Sequence, residues 1–175
     1  LGYLSEISEQ NKIRVISVES PITGFSFSRV NNVGAGHASG EYILFLNDDT
    51  EVSEPAWLSQ MVGYLQMDGV GTVGARLHYP DGTIQHGGVV RGFHNGLAGH
   101  AFRHSPRSST GYLWYLRVAR EYSAVTAACM LTRATTFAEL GGFDETDFAV
   151  AFNDVDFCMR VARRGLRNVY CGQAE

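Results

Sequence analysis

Cysteine is scarce in this 175-residue chain: Cys129, Cys158 and Cys171 are widely spaced, odd in number and form no C-x-x-C pair. That usage argues against a disulfide framework and for free, mostly buried thiols in a reducing cytoplasm. Long apolar runs are also missing, and the N-terminus lacks a basic-then-apolar signal pattern, so a soluble chain is expected. Membrane attachment would be peripheral, through a larger parent protein. Positive charge is not in excess: 14 Lys and Arg stand against 18 Asp and Glu, a net charge of −4. A nucleic-acid binder working through a broad basic face is thereby disfavoured. Arg160, Arg163, Arg164 and Arg167 read instead as the solvated face and end of a helix. There is no G-x-x-x-x-G-K-[ST] phosphate loop, which lowers P-loop chemistry. No internal repeat, linker or low-complexity tract is visible.

Hydrophobic content of 45% with 18% charged residues suits a globular protein. A single domain over residues 1–175 follows. Arg14 to Val18 reads as a short strand after a polar, helix-like start. Phe25 to Gly36 reads as a loop leading into a helix turn around Ala35 to Ser39. Tyr42 to Leu46 is a buried strand. Pro55 suits a first helical turn, and Trp57, Leu58, Met61, Val62 and Leu65 form its core-facing stripe. Val70 to Leu77 is a strand, and Asp81-Gly82 marks a hairpin turn. Gly87 to Gly111 lacks periodicity, as functional or mobile segments do. Ala124 to Leu131 reads as a central buried strand. A short helix over Thr135 to Leu140 is stopped by Gly141-Gly142, and a last helix runs from near Asn153 to Gly165. Arg167 to Cys171 begins one more strand. Alternating strands and helices indicate one α/β layered domain.

Two acidic clusters carry the chemistry. Asn47-Asp48-Asp49-Thr50 follows the strand Tyr42 to Leu46, and in open α/β sheets ligands bind at the carboxyl ends of strands. Strand alternation would put Asn47 and Asp49 on one side and Asp48 on the other. Asp49 is then the best single oxygen ligand for a hard cation such as magnesium. The plainer reading is an acidic turn before a helix. Asn153-Asp154-Val155-Asp156 opens the final helix, with Asn153 as N-cap, Asp156 closing a capping box and Asp154 facing a cleft. The plainer reading here is that both aspartates merely stabilise the helix start.

Taken together, these segments resemble family-two glycosyltransferases, the inverting nucleotide-sugar enzymes of the GT-A fold. The resemblance rests on Asn32-x-Gly34, on Ala38 to Ile43 leading into Asn47-Asp48-Asp49-Thr50-Glu51-Val52, and on Gly141-Gly142-Phe143-Asp144-Glu145 ahead of Asn153 to Arg160. It implies a mixed sheet flanked by helices, and a donor diphosphate held by a divalent cation, magnesium or manganese, on Asp49. Asp48 and Asn47 would contact the donor, with Asn32 near the nucleotide. Asp154 would deprotonate the acceptor hydroxyl, and Asp144 and Glu145 would line the acceptor side. A saccharide or lipid-linked acceptor is implied, in bacterial surface-polysaccharide assembly, in the cytoplasm or at the inner face of the membrane. The family's usual nucleotide-binding opening is absent, so an N-terminally truncated, partial domain is expected. Position 153 is Asn where Glu is common, and the sequence stops about where a metal-binding His is often found.

Two rivals remain: an inactive glycosyltransferase-like domain that binds carbohydrate or a partner, and a magnesium-dependent nucleotidyltransferase using Asp48 and Asp49. His100 and His104 have zinc-ligand spacing but no nearby cysteines, so surface or acceptor-loop histidines are the default. Tyr112, Trp114 and Tyr115 could stack on a sugar ring, although core or interface positions are the default for them.

Overall fold

The computed structural model describes residues 14–19 and 24–175. The helix-like start therefore lies outside the described residues. Arg14 to Val18 is not a strand: residues 14–19 carry no regular structure, and no described strand pairs with them.

Helix α1 (Phe27–His37) replaces the loop expected from Phe25 onward. Ser26 caps it by accepting the Arg29 N–H at 3.1 Å. Its polar residues pack as well as solvate: buried Ser28 donates to the Phe148 carbonyl at 2.7 Å. An apolar stripe was therefore never written into this segment, which hid the helix from periodicity.

Strand β1 (Tyr42–Leu46), helix α2 (Trp57–Leu65) and strand β2 (Val70–Ala75) follow. The expected stripe on α2 packs through Met61, Leu65, Trp57 and Val62, whereas Leu58 stays exposed. The strand expected to reach Leu77 stops at Ala75 because the Arg76 N–H turns to the Ala174 carbonyl at 2.8 Å. The expected hairpin forms between β3 (Leu77–His78) and β4 (Ile84–His86). Asp81 Oδ1 accepts from both the N–H and the hydroxyl of Thr83.

The aperiodic middle contains a ribbon of β5 (Val89–Arg91) and β6 (Ala98–His100), joined by the short helix α3 (Phe93–Gly96). Then come β7 (Arg120–Tyr122), β8 (Cys129–Arg133), α4 (Ala134–Glu139), α5 (Asn153–Arg163) and β9 (Arg167–Cys171). The strand expected from Ala124 begins only at Cys129. Backbone groups over residues 124–127 are claimed elsewhere: Ala124 and Val89 exchange bonds at 2.9 and 3.2 Å, and the Ala127 N–H goes to Asp154 at 3.0 Å. The Asn47 N–H to Ala128 carbonyl bond, 3.0 Å, is the last rung between β1 and the entry to β8.

The central mixed sheet has the order β1-β8-β2-β9-β7. Strands β1, β2 and β9 share one direction, with β8 and β7 opposed. Alternation splits each strand between two cores. Met130 and Tyr170 face α4 and α5, where Phe45, Phe137, Phe143 and Phe157 form an aromatic cluster with centroids 4.8 to 5.6 Å apart. Leu131 and Val169 face α2 on the other side. The result is a sheet between helical layers. Cys129, Cys158 and Cys171 are free and buried, as expected, and burial pushes the thiols of Cys129 and Cys158 up to about 12. Among the described residues no helix is long and apolar enough to cross a membrane.

Gly71 is the extra residue in a bulge where β2 meets β9. A Cβ there would lie 2.4 Å from Val161 Cγ1 of α5, so glycine permits the helix to approach. A second anchor sits beyond β2. Glu175 pairs with the buried guanidinium of Arg76 at 2.9 Å and with Arg107 at 2.8 Å. His78 lies 3.9 Å from the same carboxylate. Burial, then the Arg76 charge, lowers its pKa to about 4, so this contact is not an ion pair at neutral pH.

Gly71→Ala is expected to destabilise the fold by about 1–3 kcal/mol through overpacking against Val161, read from chemical denaturation. A fall in pH gives the second expectation. Unfolded His78 takes up its proton near its ordinary value, whereas the folded residue resists until about 4. Stability should therefore decline as pH drops through that window, and His78→Gln should shrink the decline in Tm.

Candidate active site

The carboxyl ends of β1, β2 and β9 share one edge of the sheet with the start of β8. The first acidic cluster lies there. β1 ends at Leu46, and residues 47–50 form a turn that the Thr50 hydroxyl closes by donating to the Asn47 carbonyl at 2.7 Å. Strand alternation therefore does not extend to Asp48 and Asp49, contrary to the sequence reading. Both aspartates are exposed, and neither carboxylate accepts a hydrogen bond or ion pair from the described residues. Asn47 is half-buried, and its N–H donates to Ala128.

The second cluster opens α5. The N-cap is Phe152, in the left-handed conformation with φ 61°, not the expected Asn153. Asn153 is instead the first helical residue, buried, with its amide near the Phe148 carbonyl at 3.4 Å. The expected capping box does not form either. Asp156 points along the helix to Arg160, 2.7 Å away at i+4, because that guanidinium is already anchored on the Leu140 carbonyl. Asp154 does face a cleft. Its Oδ2 accepts the Ala127 N–H at 3.0 Å, and its Oδ1 accepts the Val155 N–H at 2.8 Å. These bonds fix the carboxylate at the positive end of the helix dipole.

Ala127 and Ala128 thus join the two clusters. The N–H of Ala127 holds Asp154, and the carbonyl of the next residue, Ala128, holds Asn47 at the root of the Asp48-Asp49 turn. Asp154 also borders a cavity of about 310 Å³ whose walls include Val89, Ala98, His100, Arg103 and Phe152. Asp48 and Asp49 are not part of that wall. A cavity of similar size beside Glu121 and Arg167 contains no residue of either cluster.

Asn32 sits on α1 and meets the glycine-rich turn after α4. Its Oδ1 accepts the Phe143 N–H at 2.8 Å, and its Nδ2 donates to the Phe143 carbonyl and to Glu145 Oε1. Gly142 has φ 72°, and a Cβ there would come 2.6 Å from Asn32 Oδ1. The structure so brings Asn32 and Glu145 together, with the Asn32 amide engaged by the turn. Asp144 Oδ1 accepts the N–H groups of Thr146 and Asp147, which hold its carboxyl below the usual range.

Sequence reasoning missed a contact between His86 and His100, whose Nδ1 atoms lie 2.9 Å apart. Their 14-residue separation gave no ligand-spacing signal. His104 does not join His100: its ring stacks on Tyr79 at 5.2 Å. Among the described residues no three His, Cys, Asp or Glu side chains gather as a metal site. Tyr112 and Trp114 are exposed rather than core, since the chain there turns through positive φ at Leu113 and Trp114. Tyr115 lies under the Arg120 guanidinium, 3.0 Å from the ring centroid.

An uncharacterized protein, y4gI, of Sinorhizobium fredii (strain NBRC 101917 / NGR234) is 43% identical over 164 residues, covering 94% of this chain and 18% of that protein. The O-antigen biosynthesis protein RfbC of Myxococcus xanthus is 43% identical over 151 residues, covering 85% of this chain and 12% of its own length. The chain therefore spans under a fifth of these relatives.

Two solved structures share the fold. The mannosyltransferase PcManGT of Pyrobaculum calidifontis, in complex with GDP-Man and Mn2+, superposes with a TM-score of 0.61 at 15% identity, over 95% of this chain and 40% of its own. GalNAc-T7 with UDP, GalNAc and Mn2+ gives 0.63 at 14% identity, over 85% and 29%. The mixed sheet between helices is the GT-A architecture of these enzymes. Glycosyl transferase family 2 matches residues 3–120, more than half of the 175-residue chain. With its fold and its matched sequence in agreement, this chain belongs to glycosyl transferase family 2.

Proposed function

We propose that this chain transfers a sugar from a nucleotide-sugar donor to a hydroxyl of a saccharide or lipid-linked acceptor, with inversion at the anomeric carbon. The observation that carries this is the pair of peptides at Ala127 and Ala128, which fastens Asp154 and the root of the Asp48-Asp49 turn to one sheet edge. Inversion by direct displacement needs a proton acceptor on the side of attack and charge stabilisation on the side of departure. Two separate acidic groups at one edge suit that division.

Asp154 is the general base. The acceptor hydroxyl gives its proton to the carboxylate as its oxygen attacks the anomeric carbon and the nucleoside diphosphate departs. The N–H bonds from Ala127 and Val155 keep the carboxylate oriented, so little reorganisation accompanies the transfer. Asp49, with Asp48 beside it, would hold a divalent cation, magnesium or manganese. Two uncommitted hard-oxygen ligands fit such an ion, which takes its remaining positions from phosphate and water. When bound, the ion would supply charge neutralisation for the departing diphosphate.

Asn47 and Asp48 serve the donor side. Asn32 fastens the turn that presents Asp144 and Glu145 to the acceptor side, and any bearing it has on the nucleotide runs through that turn. The neighbours solved with GDP-Man or UDP, and with Mn2+, support the donor and cation assignments. The likeness to an O-antigen biosynthesis protein supports a saccharide acceptor in surface-polysaccharide assembly. That work would be done in the cytoplasm or, through the parent protein, at the inner face of the membrane.

Asp154→Asn should lower kcat for sugar transfer by about 10²–10⁴-fold while nucleotide-sugar binding persists. Undiminished transfer in that variant would remove Asp154 from the mechanism. For the cation, nucleotide-sugars should raise Tm more with manganese than without, and Asp49→Asn should erase the increment. Manganese-dependent binding with no transfer in the full-length protein would favour an inactive carbohydrate-binding domain instead.

A further inference from the structure

The Asp154 cavity has a polar feature that the sugar-transfer reading leaves unused. His86, at the end of β4, is fully buried, and its Nδ1 lies 2.9 Å from Nδ1 of His100 at the end of β6. The rings are nearly perpendicular, at 85°. His86 Nε2 is buried and has no hydrogen-bond partner among the described residues. His100 is half-buried and shares the cavity wall with Asp154 and Arg103.

A single proton lies between the two Nδ1 atoms, and its origin sets both tautomers. If His100 supplied it, neutral His86 would carry its own proton on Nε2, an N–H sealed from every acceptor, which is a rare arrangement. If His86 supplies it, Nε2 is a bare lone pair, and neutral His100 must carry its proton on Nε2. Burial disfavours the charged form of both rings; at His100 the nearby Asp154 opposes that effect, and Arg103 adds to it. The second arrangement, with both rings neutral, is the consistent one.

We infer that His100 is an acceptor-binding residue that donates its Nε2–H to the sugar hydroxyl adjacent to the one Asp154 deprotonates. This rests on the reading of Asp154 as base. A donor on the reacting oxygen itself would withdraw electron density and oppose attack. On the neighbouring hydroxyl the same donor fixes the sugar ring without that penalty. The wall then offers one fixed acceptor and one fixed donor, the pattern a vicinal diol of a pyranose satisfies. His86 is a positioning residue that acts through the tautomer it imposes. An acceptor lacking the adjacent hydroxyl leaves the His100 N–H unpaired, so selection follows.

Long-range proton–nitrogen spectra of the chain with 15N-labelled histidine should show His86 protonated at Nδ1 and His100 at Nε2. The opposite pair of tautomers overturns the inference. Titration with methyl pyranosides should shift the His100 Nε2–H signal. Affinity should fall about tenfold for analogues deoxygenated at the diol and in His100→Phe, with partial recovery in His100→Gln. An Nε2–H signal unmoved by every glycoside also overturns it. His86→Phe should release the His100 tautomer and weaken glycoside binding as His100→Phe does; if that variant does not fold, the wild-type tautomers and titrations still decide. None of these readouts needs turnover, so failure of Asp154 as base, seen as full transfer activity in Asp154→Asn, is recognised separately.

Discussion

Two backbone groups on adjacent residues hold the candidate site together. Ala127 donates its N–H to Asp154, and Ala128 lends its carbonyl to Asn47, so segments far apart in sequence are fastened to consecutive residues. Both groups sit in a buried or half-buried stretch where an unpaired backbone polar atom is costly. The cost works as a constraint: if either partner moved away, a peptide group would be left without a bond. The entry to β8 is irregular for the same reason, since a regular ladder there would leave no N–H for the carboxylate.

Around that point the sheet does the positioning. The aromatic cluster of Phe45, Phe137, Phe143 and Phe157 locks α4 and α5 onto one face, which sets where the first turn of α5 can present Asp154. Phe143 is also the residue whose backbone Asn32 grips from both sides. Core packing and the acceptor-side turn are therefore one assembly. The opposite face, with Met61 and Leu65 of α2 against Leu131 and Val169, holds the other layer and carries none of the candidate chemistry.

The sequence was most legible where burial and chain direction coincide. The run Tyr42 to Leu46, the stripe on α2, the Asp81-Gly82 hairpin and the strand Arg167 to Cys171 all declare themselves by apolar pattern or turn chemistry. Helix α1 was hidden because Ser28 and Asn32 face partners that carbonyls and amides provide, not apolar neighbours. At α5 the helix was clear but its start was read one residue late. Phe152 holds the N-cap position in a left-handed conformation, where an extended polar residue is usual, and Asp156 then belongs to Arg160. That Asp154 and Asp156 do separate work was legible from helical geometry, but the assignment of the cleft to Asp154 rested on a capping box that does not form. The His86–His100 contact was not, because strands β4 and β6 belong to different ribbons and only the fold brings their ends together.

The three sulfhydryls have a practical bearing on how the molecule can be followed. Thiolate is the reactive species, and at Cys129 and Cys158 it is almost absent at neutral pH. Alkylating reagents therefore meet no receptive sulfur until the sheet and its helical cover separate. The chain carries its own internal reporters of opening, placed in three different parts of the interior, on β8, α5 and β9.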